Sequence, residues 1–117
     1  MKRILVLDAS AQTRTLLEER LRAEGFLVET GEDGGQGLAR IAAAPPDAVV
    51  LDVTLPTVSG FEVLARLKAS ASTRGIPTYV FTDKVFGSDR RRANELGADG
   101  FFIKPAEIDA LVERLRP

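Results

Sequence analysis

Asp8, Asp52, Thr82 and Lys104 each close a short apolar run: Ile4 to Leu7, Ala48 to Leu51, Thr78 to Phe81 and Phe101 to Ile103, respectively. Two carboxylates, a hydroxyl and an ammonium suit phosphoryl transfer to a carboxylate. Such an acid attacks phosphorus only when a cation screens it from the phosphoryl oxygens and fixed donors hold those oxygens in line. Asp52 suits the nucleophile, and Lys104 and Thr82 suit the donors. Asp8 suits a ligand to a hard divalent ion such as Mg2+, directly or through water, with the backbone carbonyl of Thr54 as a further ligand. Composition removes the competing chemistries. The chain has no Cys and no His, which excludes disulfides, thiolate and imidazole metal sites, Cys or Ser–His nucleophiles and a histidine phosphocarrier.

These side chains can meet only if the runs that carry them lie side by side. Together with Phe26 to Val28, the apolar segments read as five buried strands. Between them the spacing turns helical. Ile108, Leu111, Val112 and Leu115 fall at i, i+3, i+4 and i+7; Leu38, Ile41 and Ala42 repeat the pattern, and Leu17 with Leu21 mark a first helix that stops at Gly25. Ser59 followed by Glu62 is a capping-box signature that starts the third helix after Val58, and Ser88 is the candidate cap of the fourth. Strictly alternating strands and helices imply a parallel sheet covered on both faces, a (βα)5 sandwich of the α/β class. In such sheets function gathers beyond the carboxyl ends of the strands, where the four polar residues stand.

The length of 117 residues, 44% hydrophobic and 28% charged, is that of one globular domain with one core, expected over residues 1–117. Sixteen basic against seventeen acidic residues leave a net charge of -1. That balance argues against direct nucleic-acid or anionic-membrane binding by the whole domain. The apolar runs are too short to span a bilayer, and Asp8 interrupts the basic start before a signal-peptide core could form, so a cytoplasmic protein is expected.

The motifs Ile4-Leu5-Val6-Leu7-Asp8, Pro46-Asp47-Ala48-Val49-Val50-Leu51-Asp52, Leu55-Pro56, Gly60, Thr82, Gly97-Ala98-Asp99 and Lys104-Pro105 stand in one order along nearly the whole chain. In that order and spacing they resemble the receiver domain of two-component response regulators. The resemblance implies a flavodoxin-like three-layer sandwich with strand order 2-1-3-4-5. It also implies that Asp52 is the phosphoacceptor, Thr82 the switch hydroxyl, Phe101 the switch aromatic and Lys104 the characteristic lysine, whose bond to Pro105 is usually cis. Partners implied are a sensor histidine kinase or phosphotransfer protein and a downstream protein or fused output domain. The expected role is that of a signalling module rather than an enzyme.

Two positions depart from the family pattern. The first strand normally ends in adjacent acids, and here the second is Ala9. Arg14, six residues after Asp8, fixes the register, so the lost acid is the one that usually touches the metal, and Mg2+ binding should be weak. Asp83 follows the switch hydroxyl where a small residue is usual, and a carboxylate there crowds and repels a phosphodonor. A solvent-facing Asp83 is the expectation; turned inward, it would be a substitute metal ligand. Both departures favour an alternative reading, a degenerate receiver that binds its partner without phosphate.

Three other features read more plainly. Arg90, Arg91 and Arg92 are expected to open the fourth helix as a solvated face, the competing reading being a contact for an acidic partner. The Gly34, Gly35 and Gly37 cluster matches no phosphate loop and reads as a turn. An aspartate-nucleophile phosphatase would want a second acid at Thr54, and a flavin-binding relative would want a Gly- and hydroxyl-rich segment over Ala9 to Thr13. Neither is present.

Overall fold

Five parallel strands form one sheet in the order β2-β1-β3-β4-β5 in this computed structural model, which describes residues 2–117. The strands are β1 (Arg3–Leu7), β2 (Leu27–Gly31), β3 (Ala48–Leu51), β4 (Thr78–Thr82) and β5 (Gly100–Ile103). The helices α1 (Ala11–Ala23), α2 (Gly34–Ala43), α3 (Gly60–Ala69), α4 (Gly87–Glu95) and α5 (Ile108–Leu115) alternate with them. The α/β sandwich and the strand order expected from the sequence are both observed.

The sheet separates two apolar layers because side chains alternate across a strand. Leu5, Leu7, Val49, Leu51 and Val80 face α2, α3 and α4, meeting Ile41, Val63, Leu64 and Ala93. Ile4, Val6, Val50 and Phe81 face α1 and α5, meeting Leu17, Leu21, Leu111 and Val112. β1, β3 and β4 have neighbours on both sides, and the apolar residues in them are buried throughout. At the sheet edge, β2 does not follow this pattern. It starts at Leu27 rather than Phe26 and extends to Gly31, and Leu27 is half exposed.

Several helix boundaries match the sequence reading. Gly25, at φ 93°, turns the chain out of α1, and the Ser59 hydroxyl accepts from the Glu62 N–H at 3.2 Å to start α3. Others do not. Gly34, Gly35 and Gly37 are the first turn of α2, capped by Asp33, whose carboxylate accepts from the Gln36 N–H at 2.7 Å. The reason is close packing: a Cβ on Gly34 would lie 2.9 Å from Val58 Cβ, and one on Gly37 would lie 2.8 Å from Leu7 Cδ2. Ala42 is exposed, so Ile41 and the two glycines form the buried stripe of that helix. The N-cap position of α4 is Phe86, which makes no capping bond, and not Ser88. The register that buries Ala93 puts Ser88 inside the first turn, and tertiary packing outranks the local cap preference. The three arginines therefore lie mid-helix.

Candidate functional site

The strand ends do converge. The Lys104 ammonium, from the end of β5, donates to Asp52 Oδ2 at 2.7 Å and to Asp8 Oδ2 at 2.9 Å. The Thr82 hydroxyl donates to Asp52 Oδ1 at 2.6 Å. Both acids are buried, Asp8 at 2% and Asp52 at 5% exposure, which is tolerable only because each oxygen has a donor. The Ser10 N–H serves Asp8 Oδ1 at 2.8 Å, and the Thr54 N–H reaches Asp52 Oδ1 at 3.3 Å. Among the described residues no buried side-chain polar atom lacks a partner.

The chain around the acids is fixed by contacts that residue types alone do not announce. Arg14 Nη1 donates to the main-chain carbonyl of Asp8 at 2.7 Å, bracing the turn from β1 into α1. The Lys84 N–H donates to Thr82 Oγ1 at 3.2 Å, so the hydroxyl that points at Asp52 is held from behind. Gly60 lets α3 start against β3: a Cβ there would meet the Asp52 carbonyl oxygen and lie 2.6 Å from Val53 Cα. Thr57, a β-branched residue at φ 63°, is held in that strained region by two bonds. Its hydroxyl accepts from the Gly35 N–H at 3.1 Å and donates to Asp33 at 3.0 Å, which ties the β3–α3 loop to the start of α2. The Lys104–Pro105 bond is cis, as the resemblance implied.

Electrostatics differ between the two partners. Burial, the largest influence, pushes the Asp8 carboxyl above its ordinary 3.8, against the opposing pull of the Ser10 N–H and of Lys104. Burial alone would lower Lys104. The hydrogen bonds and charges of Asp52 and Asp8 together outweigh it and hold the ammonium above its ordinary 10.5.

The remaining sequence candidates lie further out. Thr54 is exposed just past β3, with its N–H turned to Asp52. Phe101 is 8% exposed, its ring beneath the Arg90 guanidinium at 4.8 Å. Asp83 is exposed and lines a groove of about 430 Å3 with Ser10, Thr13, Lys104 and Pro105. It does not join Asp8 and Asp52, because no cluster of three acids exists among the described residues. Asp83 is solvent-facing, as expected from the sequence: its side chain stays at the mouth, where water solvates its charge, and Ala9 is exposed as well.

Comparison with known proteins agrees with this geometry. Residues 4–116 match the model of the response regulator receiver domain. The chain belongs to that family. The receiver is 37% identical over 114 residues to response regulator MprA of Mycolicibacterium vanbaalenii, covering 97% of this chain and 48% of that protein. It is 40% identical over 114 residues to response regulator PleD of Caulobacter vibrioides, covering 97% of this chain and 25% of that one. It thus spans about half or a quarter of these relatives' length. Among solved structures, chemotaxis protein CheY4 of Vibrio cholerae superposes with a TM-score of 0.88 at 25% identity, over 99% of both chains. The receiver domain of a Pseudomonas aeruginosa sensor histidine kinase, with magnesium coordinated in its active site cleft, gives 0.84 at 25% identity, over 97% of this chain and 95% of that one. No helix among the described residues is long and apolar enough to cross a membrane.

Proposed function

We propose that this receiver accepts a phosphoryl group on Asp52 from a histidine kinase or phosphotransfer protein and thereby switches a protein-binding face. The observation that carries the reading is the arrangement around one acid: the Lys104 ammonium 2.7 Å from one Asp52 oxygen and the Thr82 hydroxyl 2.6 Å from the other. An Asp52 oxygen bonds to phosphorus as the P–N bond of a phosphohistidine breaks, and the freed imidazole nitrogen keeps the electron pair and takes a proton. Lys104 and Thr82, now bound to carboxylate oxygens, are placed to transfer their donors to the new phosphoryl oxygens. A gain of charge at Asp52 that moves the Thr82 donor from a carboxylate oxygen to a phosphoryl oxygen is a local event that can shift the population of the α4 and β5 surface.

A divalent cation fits the site in part. Mg2+ takes one or two carboxylates and keeps several waters, and Asp8, Asp52 and the Thr54 carbonyl are the donors this chain offers. When bound it would neutralise the charge of the incoming phosphoryl group. Lys104 already shares both carboxylates, and Ala9 supplies no third. Binding is therefore weak by the same reasoning.

That missing acid also favours a second reading, a receiver that binds its partner without phosphate. Incubation with a small phosphodonor across a wide Mg2+ range separates the two. The first reading requires intact mass to rise by one phosphoryl group, with the rise lost in Asp52→Asn; an unchanged mass at every Mg2+ concentration leaves the second.

A further inference from the structure

The groove beside the acceptor has two charged residues in its lining among those described, Lys104 and Asp83. The Lys104 ammonium is already committed to Asp8 and Asp52, at 2.9 and 2.7 Å. Asp83 is committed to no cation: no Lys or Arg nitrogen of the described residues lies within 4.0 Å of its carboxylate. Leu16, Phe81 and Pro105 supply apolar surface to the same groove, whose volume of about 430 Å3 accommodates an imidazole ring. A flat ring with apolar faces and an N–H at its edge matches apolar walls and one free carboxylate.

In-line transfer sets the leaving group on the side of phosphorus away from the attacking oxygen. For attack by Asp52 that side is the opening, where Asp83 stands. A carboxylate that accepts from an imidazole N–H fixes the orientation of the ring and stabilises its protonated form. The same carboxylate repels a leaving group that is itself anionic. Asp83 therefore sorts phosphodonors by the charge of what leaves.

We propose that Asp83 contacts the leaving group of the phosphodonor, accepting a hydrogen bond from the N–H of nitrogen-linked donors such as a phosphoimidazole ring and disfavouring acyl phosphates. The inference rests on phosphoryl transfer to Asp52 and adds to it the class of donor. With the far ring nitrogen protonated and held by Asp83, an Asp52 oxygen bonds to phosphorus while the P–N bond breaks. The near nitrogen keeps the electron pair, and the ring leaves as neutral imidazole with its proton still on the nitrogen that Asp83 holds. An acyl phosphate brings no such proton, and its departing carboxylate adds a second negative charge facing Asp83.

The test compares rates of phosphorylation, read by intact mass, for the full chain, Asp83→Asn and Asp83→Ala with phosphoimidazole, phosphoramidate and acetyl phosphate at one Mg2+ concentration. Asn keeps the size of the side chain and removes its charge; Ala removes both. Asp83→Asn should slow the two nitrogen-linked donors and speed acetyl phosphate, so that the ratio of their rates falls about tenfold. The difference should shrink at high salt, because an exposed charge is screened. A ratio unchanged in Asp83→Asn, or all three donors accelerated alike in both variants, would overturn the inference and leave Asp52 as the acceptor. If no donor raises the mass of any of the three proteins, the phosphoryl-transfer reading falls and the inference with it.

Discussion

Replacing Lys104 by Met should destabilise the receiver at neutral pH and much less in acid. Asp8 Oδ2 and Asp52 Oδ2 share one ammonium at 2.9 and 2.7 Å, which keeps them within about 6 Å of each other. Two unit charges at that separation repel by roughly 3 kcal/mol at an effective dielectric of about 20. In Lys104→Met this repulsion is unscreened, and a loss of about 3 kcal/mol corresponds to a melting point roughly 10 °C lower for a chain of this size. The pH dependence follows from Asp8. Its folded carboxyl already stands above 3.8, so the folded state binds more protons than the unfolded one across the window above that value. Its contribution favours the fold below 3.8 and is lost as pH rises through the folded value. Removing the ammonium raises the folded value further and widens that window. Thermal melts by circular dichroism should therefore show a larger deficit at pH 7.5 than near pH 4.5. Adding Asp52→Asn to Lys104→Met should recover most of the loss, because one of the two repelling charges is gone. A deficit equal at both pH values, or a double variant no more stable than the single one, would refute the reasoning.

Further outcomes follow from the same geometry. Gly60→Ala should cost about 3 kcal/mol in urea denaturation, since its methyl group collides with the main chain of Asp52 and Val53. Ser59→Ala removes the α3 cap and should cost about 1 kcal/mol in the same assay. Lys104 sits above its ordinary 10.5, so the stability it confers is whole below that value and is lost as pH rises through its folded value. Alkaline melts of the native chain should show that loss, and Lys104→Met should not. Ala9→Asp should tighten Mg2+ binding about tenfold by calorimetry, through the added carboxylate beside Asp8; unchanged affinity would mean that the missing acid does not set it.

What the sequence shows of this site depends on whether side chains or main chain do the work. Asp8, Asp52, Thr82 and Lys104 were legible because a polar residue ending a buried strand has only one edge to go to. The donors that fix them were not: the N–H groups of Ser10, Thr54 and Lys84 belong to loops, and any residue type offers the same main-chain group. Arg14 was usable as a register mark, but its bond to the Asp8 carbonyl depends on where α1 sets off. The glycines of α2 suggest a turn by local propensity. They are needed there because the first turn of α2 packs on Val58 and Leu7 with no room for a Cβ, a long-range fact. Ser88 misleads for the same reason, as burial of Ala93 decides the register of α4. Asp83 reads from the sequence as solvent-facing and is exposed in the structure, because a loop carboxylate is better solvated at the mouth than beside two buried acids.

Asp52 is the residue proposed to take the phosphoryl group. Borohydride reduction of the receiver after exposure to a phosphodonor and Mg2+, followed by peptide sequencing by mass spectrometry, reads that directly, because an aspartyl phosphate is reduced to homoserine. Homoserine is expected at position 52 and not at Asp8, Asp83 or any other acid. Homoserine at either of those positions, or none anywhere, would contradict it.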